Sequence, residues 1–423
     1  MGGPELTRRG EALTWIWREQ GYAVTIDRFI DRYDGPHAEV TVESVQVDQN
    51  GHPGHVHWSN LNLASTSERY RIAQKLAVQD GRVNWAAILE MSCCWTVKIR
   101  REGEPMTNLA EVKNGVAKRS FLMSKLLPAG ETSMIYGDGA SGKSLLAQMV
   151  AVACQEGRSL PGGLICTGAV PVIYYDWETN ERVIRRRLER LCVGWKTVVP
   201  PLRYVPMRRP MIEDVYRMRR DIDEVGAGLV VIDSVGFASA QGDLTQADAA
   251  TKLFNALRYL DTTVLAVHHL TKEASERQTG PVKPYGSSYF YNATRNAWEV
   301  RSRQESNKLI VSLWHRKDND GFMGRRPIGL RFVFDGEEGP IRIEQTEIEE
   351  DSELATHGGL AFQLRGILKE GATTVAEMAI VTGADKGTVA RTLRRMPDVA
   401  NLNPSVGSGN VATWGLVARE DDY

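Results

Sequence analysis

The sequence predicts an α/β fold in which a parallel sheet lies between an α+β region before it and a small helical region after it. From about residue 120 to residue 345, short apolar segments alternate with helical patterns, which is typical of a parallel sheet covered by helices. A glycine-rich loop at residues 137–144 stands between one such strand and a helix. The chain has 423 residues, which is enough for two or three domains.

Composition and charge narrow the class of protein. Hydrophobic residues make up 42% of the chain and charged residues 25%, so a sizeable core is available. The formal net charge is −1, so any contact with nucleic acid would need local basic patches. The five cysteines lack the spacing of metal ligands and are expected to be reduced thiols. No stretch reaches the ~18 apolar residues of a membrane span, and we expect a cytoplasmic protein without membrane contact.

The first 118 residues are predicted to form an accessory α+β domain that carries no catalytic cluster. A helical pattern is expected around Leu13–Gln20, and two more helices are predicted at Ser67–Gln79 and Val83–Arg101. Alternating apolar residues predict three strands, with a hairpin turn between the last two. These strands are Tyr22–Ile26, Ala38–Val47 and Gly54–Leu63.

The region 119–346 supplies the strands of the parallel sheet. Each segment is short, rich in Val, Ile and Tyr, and apolar on both faces, as buried parallel strands tend to be. An antiparallel pair is expected at the end of the region, near residues 329–345. The strand candidates are Thr132–Tyr136, Val170–Tyr175, Leu202–Val205, Leu229–Ile232, Val264–Val267 and Leu309–Trp314.

The glycine-rich loop has the pattern GxxxxGK[ST], in which backbone N–H groups and a helix N-terminus surround the phosphates of a nucleotide. Lys143 is expected to reach the β- and γ-phosphates of ATP, and the Ser144 hydroxyl to bind Mg²⁺. The residues predicted to bind ATP are Gly137, Asp138, Gly139, Ala140, Ser141, Gly142, Lys143, Ser144 and Leu145.

Two strand ends carry carboxylates suited to hydrolysis. Asp233 ends an apolar strand and is predicted to hold Mg²⁺ together with Ser144. Its neighbour is Ser234, so the group that activates water must come from elsewhere. Glu178, after the strand that follows the loop helix, is the predicted base or water-orienting group, with Asp176 as the second choice. The alternative is that both carboxylates cap the helix that starts near Asn180.

Further polar residues follow the later strands. His268 and His269 end a strand, and one of them is expected to sense the γ-phosphate, while the alternative is a structural role for both. Arg295 lies in a segment of small residues that leads into a strand. It is predicted to act as an arginine finger on a neighbouring subunit, or else to be a plain surface residue. Lys317 is a weaker candidate for the same role.

Taken in order, the loop, Glu178, Asp233, the histidine pair and Arg295 resemble the RepA-type hexameric helicases, which are RecA-like ATPases of plasmids and phages. The resemblance covers about half of the chain, and regions at both ends go beyond the minimal plasmid enzyme. It implies a RecA-like core and carries catalytic roles to Lys143, Ser144, Glu178, Asp233, His268, His269 and Arg295. It also implies a homohexameric ring with single-stranded DNA in its channel.

In RecA-like folds, two loops face the ring axis, and here they are residues 236–248 and 273–285. The first contains no Lys or Arg. Lys272, Arg277 and Lys283 in or beside the second are predicted to contact DNA phosphates. The alternative is that the loops bind no ligand.

An acidic run at residues 347–356 is predicted to be a solvated linker to a last domain, residues 357–423. That domain has three amphipathic helical patterns and two short strands, the organisation of a winged helix-turn-helix. The second helix of the motif carries Lys386, Arg391, Arg394 and Arg395, which would contact DNA. The alternative is a module that docks another protein.

Together these features predict an ATP-dependent, ring-forming motor on single-stranded DNA, in replication or repair of a phage or mobile element. Its partners would be single-stranded DNA, further copies of itself, and other replication proteins through residues 1–118 or the winged helix. The alternatives are a filament-forming recombination protein or mediator switched by ATP, and a nucleotide-gated DNA-binding regulator.

Overall fold

The computed structural model describes twelve stretches of the chain, in which two compact units are formed. The first unit contains residues 1–118 with 214–224, and the second contains residues 119–213 with 225–423. None of the helices in the described stretches has both the length and the apolar character needed to cross a membrane. The described residues are 3–9, 11–47, 53–103, 106, 108, 119–239, 247–270, 282–286, 288–320, 326–348, 351–403 and 412–417.

The first unit is an antiparallel five-stranded sheet, with strands in sequence order, followed by two helices. The helices begin at Ser65 and Asn84, whose side chains accept backbone N–H groups of the first turn. Trp17 and Trp85 are fully buried between sheet and helices. The elements are β1 (Glu5–Arg9), β2 (Ala12–Trp17), β3 (Tyr22–Arg32), β4 (Gly35–Val47), β5 (Pro53–Asn62), α1 (Thr66–Gln79) and α2 (Trp85–Glu102).

The helix predicted around Leu13–Gln20 is wrong, because this segment forms strand β2. Leu13, Trp15 and Trp17 are buried, whereas the residues between them are only half-buried, which is the period of two of a strand. The indole N–H groups of Trp15 and Trp17 donate to hydroxyls of α2, at 2.8 and 3.2 Å. The two large aromatic residues, which favour strands, outweigh the helical spacing.

The second unit is built on a nine-stranded sheet with the order β10-β9-β11-β12-β8-β13-β14-β15-β16. The pairs from β10 to β13 are parallel, and those from β13 to β16 are antiparallel. The sheet is therefore mostly parallel, as predicted, with an antiparallel edge. The strands are β6 (Phe121–Met123), β7 (Leu127–Pro128), β8 (Thr132–Gly137), β9 (Val172–Asp176), β10 (Arg203–Pro206), β11 (Leu229–Asp233), β12 (Thr263–His269), β13 (Asn296–Glu305), β14 (Lys308–Asp318), β15 (Ile328–Phe334) and β16 (Ile341–Gln345).

Strand register brings the predicted site to one edge of this sheet. Asp233 pairs with Asp176 and with Val267, and His269 pairs with Gly137. The carboxyl ends of β8, β9, β11 and β12 therefore meet, which is where open α/β sheets bind ligands. The helices of this region are α3 (Lys143–Glu156), α4 (Glu181–Gly194), α6 (Val235–Ala238), α7 (Ala247–Tyr259) and α8 (Ser288–Ala293), whereas most of α5 (Met211–Val225) belongs to the first unit.

The C-terminal part of the second unit has four helices, which we call the C-terminal helices, and a small antiparallel sheet ordered β17-β19-β18. Leu364, Met378 and Leu393 lie in its own apolar core. The elements are α9 (Ser352–Ala355), α10 (Leu360–Glu370), β17 (Thr373–Thr374), α11 (Val375–Thr382), α12 (Lys386–Arg395), β18 (Val399–Asn401) and β19 (Thr413–Leu416).

In the segment 347–356, predicted to be a solvated linker, the described residues 348, 354 and 355 are instead buried against the sheet. Ile348 and Leu354 are 3% and 1% exposed and lie in one cluster with Trp314 and Phe362. Asp351 accepts the N–H of Leu354 at the start of α9. The acidic residues of this run conceal apolar positions that turn inward, so its net charge is a poor guide to its exposure.

We expect Leu354→Ala to lower the free energy of unfolding by about 2–5 kcal/mol, because it leaves a cavity between α9 and the sheet. The exposed neighbour Glu353 supplies the control, since Glu353→Ala should stay within about 0.5 kcal/mol of the parent. Chemical denaturation of the three proteins measures both effects. Equal stability of Leu354→Ala and Glu353→Ala would show that the segment is solvated after all.

Candidate functional site

The loop between β8 and α3, residues 137–144, has two positions at which the neighbouring strands leave no room for a side chain. A Cβ added to Gly137 would lie 2.3 Å from the carbonyl oxygen of Val300. Gly142 has a φ of +83°, and its Cβ would lie 2.8 Å from Leu309 Cδ2. Only glycine fits both positions. The loop, which we call the phosphate loop, thus leads directly into the N-terminus of α3, where N–H groups lack helical partners.

Lys143 lies inside this loop. Its ammonium donates to the carbonyl oxygens of Gly137 and Asp138, at 3.1 and 2.5 Å, and approaches Ser141 Oγ at 3.4 Å. Burial lowers the pKa of Lys143, while the carboxylates of Asp233, Glu178 and Asp138 act in the opposite direction. A phosphate would be a better partner for this cation than neutral carbonyl groups, so the loop is suited to bind one.

Asp233 and Ser144 form an oxygen site at the base of the loop. Asp233 is 3% exposed, and its Oδ2 accepts the Tyr174 hydroxyl at 2.6 Å. Its Oδ1 is buried and has no partner among the described residues. Burial raises the pKa of Asp233 to about 6, and the nearby Ser144 hydroxyl opposes that shift. A buried carboxylate oxygen beside a hydroxyl fits Mg²⁺, which takes oxygen ligands and would neutralise phosphate charge here.

Glu178 stands opposite the phosphate loop, in the same cleft. Its Oε1 lies 2.9 Å from His269 Nε2, and Ser234 Oγ lies 3.4 Å from the same nitrogen. The hydrogen bond from His269 lowers the pKa of Glu178, and Ser234 adds to this effect, whereas burial opposes it. Glu178 is thus an ionised acceptor that faces the open part of the cleft.

Asp176 is placed differently, as the anchor of the turn after β9. It is 1% exposed and accepts hydrogen bonds from the N–H groups of Glu178 and Thr179 and from the hydroxyls of Thr179 and Tyr204. The cap of α4 is Asn180, which accepts the N–H of Val183. These contacts engage Asp176 in the turn and leave Glu178 free of capping.

The two histidines point to opposite sides of β12. His268 is fully buried, its Nε2 lies 2.8 Å from the Tyr285 carbonyl oxygen, and its ring stacks on Phe290. Burial lowers the pKa of His268 to about 4, so the ring is neutral near pH 7. The structure therefore places His269, and not His268, beside Glu178.

The predicted finger residues lie outside the cleft. Arg295 is exposed on the turn between α8 and β13. The ammonium of Lys317 donates to the carbonyl oxygens of Tyr291, Asn292 and Thr294, at 2.6–2.8 Å. Lys317 thus stabilises the C-terminal end of a helix, a structural use of its charge.

The predicted DNA contacts are only partly within the described residues. Lys272 and Arg277 lie outside them. Lys283 is exposed, with its ammonium 5.8 Å from the centre of the Tyr291 ring. The cations of α12 are all exposed on one helix, which presents them to solvent: Lys386, Arg391, Arg394 and Arg395.

The cleft has a volume of about 350 Å³, and one of its walls was not predicted from the sequence. Arg187 and Arg190 of α4 line this wall together with Phe334 and Ile341 of the β15–β16 hairpin. Arg190 donates to carbonyl oxygens of that hairpin, at 2.7 and 2.8 Å. The only signal in the sequence was that α4 follows Glu178 directly, so that its arginines had to lie near the loop.

A match to a family model agrees with a nucleotide site of this kind. A family model described as an AAA domain matches residues 100–275, which is less than half of the chain. A KaiC-like protein of the hyperthermophilic archaeon Pyrococcus horikoshii OT3 is similar in structure, at 14% identity and a TM-score of 0.37. That match covers 54% of this chain and 97% of the archaeal chain. No curated protein matches the chain.

The phosphate loop, the matched AAA domain and the mostly parallel sheet together support a P-loop ATPase domain of the predicted RecA-like kind. The loop is suited to bind a nucleotide, and the oxygen site beneath it would suit Mg²⁺.

The raised pKa of Asp233 makes stability depend on pH. The folded chain binds the Asp233 proton more tightly than the unfolded chain does. This contribution to the free energy of unfolding is fully present at low pH and is lost as pH rises through 6. Asp233→Asn does not titrate. The difference in unfolding free energy, wild type minus variant, should therefore fall by about 2.5 kcal/mol between pH 4 and pH 7.

Chemical denaturation of both proteins at the two pH values, without Mg²⁺ or nucleotide, measures this difference. Titrations of groups that do not interact with Asp233 are shared by the two proteins and cancel. A difference that stays constant with pH would mean that the Asp233 carboxylate is well solvated.

Proposed function

We propose that the protein hydrolyses ATP to move along single-stranded DNA, as a ring of identical subunits, in the replication or repair of a phage or mobile element. The observation that supports this best is the Glu178–His269 hydrogen bond of 2.9 Å. His269 ends β12, and the chain continues from there into the segment that carries Lys272 and Arg277. Contact of this segment with DNA would therefore act on the residue that holds the water-orienting carboxylate.

In this proposal the described residues divide the hydrolysis step between them. Lys143 leaves the loop carbonyls and pairs with the β- and γ-phosphates. Glu178 orients a water whose oxygen bonds to the γ-phosphorus as the bond to the β–γ bridging oxygen breaks, and it accepts the proton of that water. His269 holds Glu178 in place. Ser144 and Asp233 would hold Mg²⁺, which would supply electrostatic stabilisation of the phosphate charge.

The C-terminal helices and their small sheet are proposed to be a winged helix-turn-helix. Two features of the local structure support it: α11 begins with a capping box between Thr374 and Glu377, and α12 begins at Asp385 after a turn that contains Gly383. The acidic residues of this motif are thereby used at helix ends, and the exposed cations of α12 remain available for DNA phosphates.

The ring is proposed from the exposed position of Arg295, a cation with no role in the cleft of its own chain. An arginine supplied by a neighbouring subunit would stabilise charge in the transition state. Lys317 is not proposed for this role, because its donors are engaged by the end of α8.

A second candidate, a nucleotide-gated DNA-binding regulator, is favoured by one observation. Hydrogen-bonded charges run from Asp138 in the phosphate loop to the carbonyl of His357 at the C-terminal helices. In such a regulator, turnover would ignore single-stranded DNA. Arg391→Ala with Arg394→Ala would abolish binding to duplex DNA without changing turnover.

Glu178→Gln tests the hydrolysis step. The amide cannot accept the proton, so kcat should fall about 10²- to 10⁴-fold, while binding of MgADP stays within about twofold. Glu181→Gln, an exposed carboxylate at the first residue of α4, is the matched control and should hydrolyse ATP like the wild type. Unchanged turnover in Glu178→Gln would remove Glu178 from the mechanism.

The motor function is tested by ATP turnover with and without single-stranded DNA. We expect stimulation of about tenfold or more by single strands, little by duplex, and none in Lys143→Ala. Turnover that ignores DNA but is lost in Lys143→Ala would keep the ATPase and contradict the motor.

Mixed assembly extends this assay to the ring. Lys143→Ala and Arg295→Ala chains should each be inactive, and an equimolar mixture should regain part of the activity, because some interfaces then combine an intact loop with an intact arginine. A mixture as inactive as its components would contradict the arginine finger. Strand exchange by an open filament would instead support the recombination mediator.

A further inference from the structure

We propose that Arg301 is a positioning residue for the phosphate loop, and that Glu299 and Arg316 extend its action to the C-terminal helices. Nucleotide binding and the attachment of those helices would then be coupled. We refer to Asp138, Arg301, Glu299 and Arg316 as the ion-pair chain. The inference rests on nucleotide binding at the loop and is independent of any action on DNA.

The first link joins the phosphate loop to the sheet. Arg301 Nη1 donates to Asp138 Oδ2 at 3.0 Å. The Arg301 side chain is 4% exposed, while that of Asp138 is 29% exposed. A guanidinium so deeply buried has little freedom to follow a moving partner, so it fixes the position of the Asp138 carboxylate.

Glu299 forms the second link and lies at the centre of the ion-pair chain. Its side chain is 0% exposed, and its Oε1 accepts Arg301 Nε at 2.6 Å. The other oxygen, Oε2, accepts Arg316 Nε, also at 2.6 Å. Because one carboxylate holds two guanidinium groups in a dry environment, a shift of either arginine changes the electrostatic energy of the other.

The third link reaches the C-terminal helices. Arg316 Nη2 donates to the carbonyl oxygen of His357 at 2.8 Å, and its guanidinium lies 5.0 Å from the centre of the Trp314 ring. Trp314 in turn packs edge-on against Phe362 of α10, at 5.0 Å between ring centres. Arg316 thus holds the start of this region by a polar and an aromatic contact.

A β-bulge gives Arg316 its place. In the pairing of β13 with β14, Ala297 lies opposite Lys317 and Trp298 opposite His315, so that Arg316 is the extra residue. Bulges of this kind redirect a side chain and are frequent beside functional sites. The redirected side chain here is the one that connects Glu299 to His357.

Asp138 is the member of the ion-pair chain that a bound nucleotide would affect directly. Its carbonyl oxygen accepts the Lys143 ammonium at 2.5 Å, and its carboxylate is held by Arg301. Phosphate binding withdraws Lys143 from that carbonyl, which keeps only the N–H of Ser141 at 3.3 Å, and the Asp138 peptide rearranges. Since Arg301 holds the side chain of the same residue, the rearrangement is passed to Glu299 and on to Arg316.

Arg316→Met tests the coupling, because methionine keeps much of the packing on Trp314 and removes every donor. We expect MgADP, titrated by calorimetry into the full chain without DNA, to bind about five- to tenfold more weakly, as typical coupling energies imply. With ATP as substrate, KM should rise while kcat changes little, because Glu178 and His269 are untouched.

Arg303→Met is the matched control. Arg303 lies on β13, two residues after Arg301, and donates to Asp351 at the start of α9, at 2.8 and 2.9 Å. It therefore ties the same C-terminal segment to the sheet, but its partners do not include the phosphate loop. MgADP should bind to Arg303→Met within about twofold of wild type. Equal affinities of Arg316→Met, Arg303→Met and wild type would overturn the proposal.

Coupling is reciprocal, which gives a second readout. MgADP should change hydrogen–deuterium exchange across α9 and α10 in wild type and in Arg303→Met, and not in Arg316→Met. If Arg316→Met does not fold, Arg316→Lys replaces it, because a single ammonium cannot bridge Glu299 and His357. A wild-type exchange response in either Arg316 variant, or a wild-type chain that does not bind MgADP, would overturn the proposal. Only the second of these results would also remove the ATPase.

Discussion

A phosphate-binding loop needs bare backbone N–H groups, and that requirement shapes this protein well beyond the loop. Gly137 lies so close to the Val300 carbonyl that no Cβ fits between them, and Gly142 is pressed in the same way by Leu309. The loop therefore packs closely against β13 and β14 as well as following its own strand, β8. Because of this close fit, the side chain of Arg301, on β13, lies within hydrogen-bond distance of Asp138.

The same edge of the sheet gathers charges of both signs where little water can reach them. Burial raises the pKa of Asp233 and lowers that of Lys143, so the charged form of each group is less stable here than in water. A nucleotide with its cation supplies both partners at once, because phosphate suits the lysine and Mg²⁺ suits the carboxylate. Glu178 differs, since His269 already stabilises its ionised form. The groups proposed to bind the nucleotide are thus destabilised without it, whereas the carboxylate proposed to orient water is already ionised and hydrogen-bonded.

Local pattern was sufficient for those parts of the site that one strand and its following turn create. The phosphate loop, Asp233 and Glu178 each follow a buried strand, and register then brings them together. Arg187 and Arg301 were missed, because their roles depend on which helix or strand lies beside the loop. Local pattern also misassigned β2, where alternating tryptophans were taken for a helix, and the acidic segment before α9, where charge concealed buried Leu354.

The ion-pair chain shows what kind of signal remained in the sequence. β13 reads Trp298-Glu-Val-Arg301, so a carboxylate and a cation two residues apart point to the same face of a strand whose first six residues are all buried. Such a pair is ordinary in a strand that is exposed to solvent. In β13, which lies between β8 and β14 and is buried at this point, both charges are removed from water. Buried charges need partners, and here those partners lie on either side: Asp138 in the loop and Arg316 at the bulge. Since removal of either end leaves the three remaining buried charges unbalanced, a change at the loop alters the electrostatic energy of the C-terminal attachment. The energetic cost of an isolated buried charge, more than any single contact, is what joins the nucleotide site to the C-terminal helices.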